Sequence, residues 1–467
     1  MNKKIFSFFL FIIIAFSFLG IVSARAEDEN IKKVSLDEFI AIASSKDVRF
    51  EQILIDKLVL KYRKALGLPA GDFILSLKSK YNFIFDPDDE DVDNTISLTK
   101  LFPYTGTEIE VGYTSSLSSA SRQISSEFEV AVSQPIAENA FGKNTRLLDK
   151  IIGLETKVAN FQVIEAYEDY LASLIQIYYN WYSAYENVNT ARNSYNESMK
   201  LLENIKERQK YKIALPVDVN KVNLQVAAKK EALIILENKH EEYLNLIKQS
   251  MRYNENADLQ PENSAAYSDV VINFDSDYLK FSNQSRTSKI LKMLEDKTSF
   301  EVDKYANELL PSINLIAGYS QVGLDHQIKD DNQTVYAGFA FDWPMPSVVE
   351  KARLETSKLE LKKTKLNSLN IHLKLHTDLK NLNDRIIKEK ELIAIADDKI
   401  KFAQSIVADD RKNYSLGRIT LNDIIDEVNK LEDNKFNKIF HQVQLKRLII
   451  EWLRINDKLI NDNEIDY

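Results

Sequence analysis

Tyr414-Ser-Leu-Gly417-Arg418-Ile-Thr-Leu-Asn-Asp423-Ile-Ile-Asp426 interrupts two stretches that read as long helix. Gly417 is the only glycine after Gly338. About 200 residues earlier, Tyr211-Lys-Ile-Ala214-Leu-Pro216-Val-Asp-Val-Asn220 interrupts two more. Each break closes a helical hairpin, so the chain reads as a duplicated unit with two tips. Pairing the two tyrosines sets Ala214 against Gly417 and Asn220 against Asp423. Tyr211, Ala214, Pro216, Asn220, Gly417 and Arg418 are then the expected turn and contact residues of the tips.

The arms of the hairpins are unusually long. From Arg146 to about Lys210 there is no proline and one glycine, Gly153. Tyr167, Leu174, Trp181, Val188, Tyr195 and Leu202 keep a seven-residue apolar repeat, the pattern of helices wound around each other. At 1.5 Å per residue this arm is a rod on the order of 100 Å. Residues 351–413 lack glycine and proline, and Leu379, Ile386, Ile393, Ile400 and Val407 keep the same period up to Tyr414. Return helices are predicted from Val217 to about Arg252 and from Leu421 to about Leu459.

Ahead of each hairpin the apolar period changes from 3.6 to 2. Phe73, Leu75, Leu77, Tyr81, Phe83 and Phe85 alternate with Ser76, Lys78, Lys80 and Asn82. Further strand-like segments lie at Thr95 to Phe102, around Ile109, Val111 and Tyr113, and around Phe128, Val130 and Val132. In the second half, Ile313, Leu315, Ala317 and Tyr319 share one face, as do Val335, Ala337, Phe339, Phe341 and Trp343. The first repeat is 27–253, with strands about 73–134 and a hairpin about 145–252. The second is 277–467, with strands about 312–343 and a hairpin about 347–460. Residues 254–276 are polar and read as a linker. A capping box, Ser35-Leu-Asp-Glu38, predicts one helix from Ser35 to about Ala65, and another is expected from Asp277 to Leu309.

Alternation of this kind suits a barrel wall with one face to lipid and one to water, and equally a soluble sheet with one solvated face. Few strands per chain cannot close a barrel alone, so a barrel would be shared among copies in a ring. Residues 86–125 read either as extra wall or as an enlarged loop.

Composition narrows the function. Gly 11 and Pro 9 in 467 residues leave few turns and therefore few, long elements. A net charge of -9 disfavours nucleic acid as a partner. The absence of cysteine excludes disulfides, thiolate metal sites and a cysteine nucleophile. Lys3 and Lys4, an apolar run from Ile5 to Val22, and Ala24-Arg25-Ala26 predict a secretory signal at 1–26. No later stretch is apolar enough to cross a membrane as a helix. There is no phosphate-binding loop of the G-x-x-x-x-G-K-[ST] kind. His372 and His376 share a helix face but have no third ligand, and His240, His326 and His441 are isolated. Asp86 to Asp91 lacks calcium-loop spacing and reads as a solvated loop. Tyr178, Tyr179, Trp181, Tyr182 and Tyr185 read as packing.

Four features together resemble the TolC-like outer-membrane efflux protein family: Ser35-Leu-Asp-Glu-Phe39, Gln134-Pro135-Ile136 between strand and long helix, Leu310-Pro311-Ser-Ile-Asn before a strand, and Tyr414-x-x-Gly417 followed by Asp423-Ile-Ile-Asp426. The resemblance covers roughly Val34 to Leu459. It implies a mainly α fold with a β-barrel portion, in which a homotrimer shares a twelve-stranded barrel in the outer membrane of a Gram-negative bacterium. The helices would form a tunnel into the periplasm. It implies an exit duct for tripartite efflux or type I secretion, without enzymatic activity or cofactor. A periplasmic adaptor and an inner-membrane pump or ABC transporter would be its partners. By resemblance, Tyr414, Asp423 and Asp426 form the periplasmic entrance. Asp423 and Asp426 are i, i+3 and share a helix face, so three-fold symmetry would make rings of carboxylates. Asn220 stands where the family often has an acid, and Ile419 where a gating arginine can occur. A coiled-coil scaffold or adaptor without a pore explains the heptads but not the paired strand segments.

Overall fold

A computed structural model of the chain describes residues 32–83, 90–118, 123–253, 258–263, 270, 272–324 and 327–460. The expected signal segment, His326 and most of the acidic loop fall outside these residues.

The first half opens with β1 (Lys32–Val34), α1 (Leu36–Lys46), α2 (Val48–Val59) and α3 (Arg63–Gly67). One continuous helix was expected here. Asp47 breaks it: its extended backbone ends α1, and its carboxylate accepts from Arg49 N at 3.0 Å to start α2. Ser35 does cap α1, accepting from Glu38 N at 3.2 Å. The Glu38 carboxylate turns instead to Lys32, 2.7 Å away. The expected helix from Asp277 to Leu309 is divided in the same manner. Ser285 accepts from Ser288 N at 3.1 Å and separates α6 (Phe274–Gln284) from α7 (Arg286–Glu308). Short polar residues serve as caps at both breaks, because their side chains replace the missing intrahelical acceptor.

The 254–276 segment is more than a linker. Its β6 (Leu259–Pro261) pairs in parallel with β1, Lys32 opposite Leu259. The Tyr178 hydroxyl lies between the two, 2.9 Å from Val34 O and 2.7 Å from Glu262 O.

Six strands form one antiparallel sheet in the order β2 (Phe73–Phe83), β3 (Glu90–Phe102), β4 (Thr107–Ser118), β5 (Gln123–Pro135), β7 (Ser312–Leu324) and β8 (Gln327–Asp342). The described residues of the 86–125 region are therefore part of the sheet and not an enlarged loop: β3 and β4 pair along twelve residues, from Asp91 opposite Ser118 to Phe102 opposite Thr107. Their connection, Pro103-Tyr-Thr-Gly106, is locked to the start of the long helix. Arg146 Nη1 and Gln134 Nε2 donate to Tyr104 O and Thr105 O, each at 2.9 Å. A Cβ on Gly142, which has φ +74°, would lie 2.3 Å from Tyr104 O, so glycine is what lets the turn sit there.

Register makes one face mainly apolar and gathers most of the charged residues on the other. Leu77, Ile96, Tyr113, Phe128, Tyr319 and Val335 follow one another on one face across the sheet or at its diagonals. That face is uncovered: Leu77 is 71% and Val335 83% exposed. The opposite face carries Lys78 and Lys80 on β2, Glu108 and Glu110 on β4, and Glu127 and Glu129 on β5. Tyr336 on β8 passes over Gly318 of β7 and its hydroxyl donates to Glu129 on β5.

Four long helices hang from one end of this sheet: α4 (Lys143–Lys210) with α5 (Pro216–Met251), and α8 (Val348–Ser415) with α9 (Leu421–Ile455). The heptad residues Leu174, Trp181, Val188, Leu202, Leu379, Ile386 and Val407 are buried where the helices meet. The largest core cluster lies partway down α4, where Phe39, Leu174, Tyr178, Trp181, Met251 and Ile450 join α1, α4, α5 and α9. The aromatic group read from the sequence as packing is packing here, and Trp181 Nε1 donates to His240 Nε2 at 3.2 Å.

Beside that core, Arg286 is 1% exposed and meets three carboxylates. It donates to Glu165 at 3.0 Å and to the fully buried Glu168, and it pairs with Asp457 at 3.2 Å. Lys458 pairs with Asp277 at 2.7 Å just outside. Burial pushes the Glu168 carboxyl up to about 7 against the pull of Arg286, with like charge from Asp457 and Glu165 adding to the rise.

Candidate functional site

The two hairpin tips carry the candidate site residues. Each begins where a long helix ends in a residue of left-handed backbone, Lys212 (φ 57°) in the first and Gly417 (φ 70°) in the second. Ile213 N donates to Arg208 O and Arg418 N to Asn413 O, both at 2.9 Å, the same six-residue closure at each tip. The next helix then starts with the same device. Leu215 N donates to Asp218 Oδ2 at 3.0 Å, and Thr420 N to Asp423 Oδ2 at 2.8 Å. Pro216 opens α5 at a position where its missing N–H costs nothing.

These bonds correct the pairing drawn from the tyrosines. Gly417 corresponds to Lys212 and not to Ala214, and Asp423 corresponds to Asp218 and not to Asn220. The left-handed residue and the cap fix a turn's alignment, whereas a tyrosine in the preceding helix does not. The first tip therefore has its own acid at the cap, and the expected asymmetry between the tips disappears at this position. What differs is the capping side chain: Thr420 Oγ1 accepts from Asp423 N at 3.4 Å, and Leu215 has no such atom. Asp423 also takes a bond from Thr420 Oγ1 at 2.8 Å, and these two donors hold its carboxyl below the usual range.

The expected site residues separate into two groups. Tyr211, Pro216, Asn220, Gly417, Arg418, Asp423 and Asp426 are exposed at the tip. With them are exposed apolar side chains that the sequence reading passed over: Ile213, Leu215 and Leu416. Ala214, expected as a contact residue, is instead buried in a small core with Leu202, Ile205, Val222 and Leu421. Tyr414 packs half-buried against the same core, and the guanidinium of Arg208 lies over its ring at 4.6 Å. Burial pushes the Tyr414 hydroxyl up, against the pull of Arg208.

Tyr414 and Arg208 also line a cavity of about 330 Å³ between the two hairpins. Arg411 closes its side by donating to Glu197 across the hairpins at 2.8 Å. Further from the tip, Gln225 Nε2 donates to Asn429 Oδ1 at 2.7 Å, and Lys229 pairs with Glu432. The last pair is the more protected, with side chains 15% and 8% exposed. Such cross-hairpin partners lie about 200 residues apart, and no periodicity in either helix announces them. Together they hold the second hairpin against the first through bonds that can be exchanged for water.

Two of the histidines have neighbours of their own. His376 stands edge-on to Tyr278 at 4.7 Å, and His441 Nδ1 is 2.6 Å from Glu389. Among the described residues, one group of acids is close enough to share a cation, Glu165, Glu168 and Asp457, and Arg286 already supplies its positive charge.

No protein-family model matches the sequence, and no curated protein matches it. Solved structures match along most of its length. The outer-membrane channel OprN aligns with TM-score 0.68 at 12% identity, over 90% of this chain and 89% of that one. The Campylobacter jejuni CmeC outer membrane channel aligns with TM-score 0.66 at 14% identity, over 91% and 86%. The open state of the Neisseria gonorrhoeae MtrE outer membrane channel gives 0.67 at 10%, over 90% and 88%. The chain thus has the fold of the TolC-like outer-membrane channels.

Proposed function

We propose that the protein is a passive exit duct in the outer membrane, working as a homotrimer with a periplasmic adaptor and an inner-membrane pump or ABC transporter. One observation carries the reading. The sheet exposes a largely apolar face, while helices on the order of 100 Å run from one end of its strands to bare hairpin tips. A soluble scaffold has no use for Leu77, Val335 and Phe339 uncovered on one face, whereas a barrel in lipid requires them. The fold shared with outer-membrane channels agrees.

In this reading the protein performs no covalent chemistry and needs no cofactor. The energy for transport comes from the pump. Opening is a shift in population between hairpins held together and hairpins parted, biased by the adaptor. Ile213, Leu215 and Leu416 offer the adaptor an apolar contact at the tip. Tyr414, Asp423 and Asp426 line the entrance, and the carboxylates of three copies favour cations there.

Fractionation of the cell envelope, detergent extraction and single-channel recording in planar bilayers test the proposal. Recovery in the outer membrane and discrete conductance steps are expected. A protein absent from that membrane, and silent in bilayers with the tip links weakened, is not a duct.

A further inference from the structure

We propose that three copies of this chain share one wall of eighteen strands, with β8 of each copy pairing to β2 of the next. The inference rests on reading the sheet as a membrane wall, and it departs from the twelve strands that the family resemblance implies.

Six strands are continuous in one copy, and the extra hairpin is an integral part of the wall. The β3–β4 connection is fastened at its base by Arg146, Gln134 and the bare backbone of Gly142. The strands on either side of it are paired along their full facing lengths. Folding that hairpin out of the sheet would break all of these bonds and leave β2 with no neighbour.

β2 and β8 are the edges of the sheet, and each needs a partner. In lipid, an edge leaves unpaired N–H and C=O groups, each costing several kcal/mol. Proteins that keep an edge free blunt it with charge, proline or a bulge. From Asn332 to Phe341, β8 has ten residues without charge or proline. Six strands are too few to close on themselves around their own side chains, for which about eight are required. The edge therefore calls for another chain. An even number of alternating strands leaves β8 running opposite to β2. Identical copies therefore join in the same antiparallel sense around a ring, with no mismatched seam.

A second surface demands the same partner. On α8, Leu359, Leu366, Leu373 and Ile387 are exposed with heptad spacing, although the buried stripe of the same helix is already matched within the copy. A neighbour seated on the sheet edge would lie alongside this helix.

Barrel diameter grows roughly in proportion to strand number, so eighteen strands enclose about twice the cross-section of twelve, and walls of about 16–18 strands leave an aqueous channel. The wall is then not the narrowest part of the duct.

Because the sequence has no cysteine, the seam can be tested by disulfide formation. Ser76→Cys on β2 is combined in turn with Thr334→Cys, Gly338→Cys or Ala340→Cys on β8. All four positions face the polar side, and Gly338 has open space for a side chain. Oxidation of outer-membrane fractions should give covalent dimers and trimers for at least one pair. Each single variant should yield none. Electron cryo-microscopy of the purified oligomer counts the wall directly, and eighteen strands are expected. A bond formed within one copy overturns the proposal, as does a twelve-stranded wall with a hairpin set aside. In both cases a protein still conducting in the outer membrane leaves the duct reading intact. A protein absent from the outer membrane and without conductance sinks the duct reading, and the shared wall with it.

Discussion

Arg286 is one cation among three carboxylates, and its neighbours set how stability depends on pH. An unfolded Glu168 ionises near its ordinary 4.5, whereas the folded one holds its proton up to about 7. The folded state binds more protons across that window, so stability falls as pH rises through it. Glu168→Gln is expected to flatten this slope, which denaturant titrations at about pH 5 and pH 7.5 would measure. Arg286→Met leaves buried acids without their cation and should cost about 3–5 kcal/mol. At the tip, replacement of the exposed Asp426 by alanine should spare stability, whereas that of Asp423 removes the bonds from Thr420 that start α9 and should lower it slightly. The double variant is expected to weaken block by a multivalent cation by about tenfold, equivalent to about 1.4 kcal/mol. Bilayer titration with hexamminecobalt reads this out, and unchanged block would remove the carboxylates from the entrance.

Between elements, the links that hold the two hairpins differ in depth, and depth decides their weight. Arg411 and Glu197 are both well exposed, and a pair of that kind contributes about 0–1 kcal/mol. Lys229 and Glu432 are shielded, so Lys229→Met strands a buried acid. Arg411→Ala should raise the open probability of single channels by no more than about fivefold. Lys229→Met should raise it further and lower the melting temperature as well. Equal effects of the two substitutions would show that burial does not govern the closed state. The hairpins themselves were legible in the sequence because heptads and absent glycines declare long helices over many residues. Helix breaks at Asp47 and Ser285 were not, since a short polar residue in a helical stretch reads the same exposed as capping. The tips were found but misaligned, because Lys212 adopts a backbone that only glycine advertises. Residues 86–125 could not be assigned to wall or loop until the pairing of Asp91 with Ser118 was visible. The cross-hairpin partners depend on how two distant helices lie together, which neither helix encodes alone.

For the whole molecule, the proposed duct would take the electrostatics of its lumen from the polar face of the sheet. Glu108, Glu110, Glu127 and Glu129 stand at successive levels of β4 and β5, and the proposed ring of copies would repeat them. Replacing all four with glutamine should bring the cation-to-anion permeability ratio toward unity, as reversal potentials in a salt gradient would report. The tip should keep its response to multivalent cations in that variant, because its carboxylates lie at the other end of the rods.

The charge cluster at Arg286 also bears on synthesis. Glu165 and Glu168 emerge early, Arg286 midway and Asp457 only after the last helix. Leu459 N then donates to Glu168 Oε1 at 3.1 Å, and Lys458 reaches Asp277. A copy interrupted before Asp457 keeps Glu165 and Glu168 beside Arg286 but loses the third carboxylate, the bond from Leu459 N and the Lys458–Asp277 pair, so these elements are not clasped. The segment after α9 thus acts as a clasp, tying the end of the last hairpin to α4 and α6.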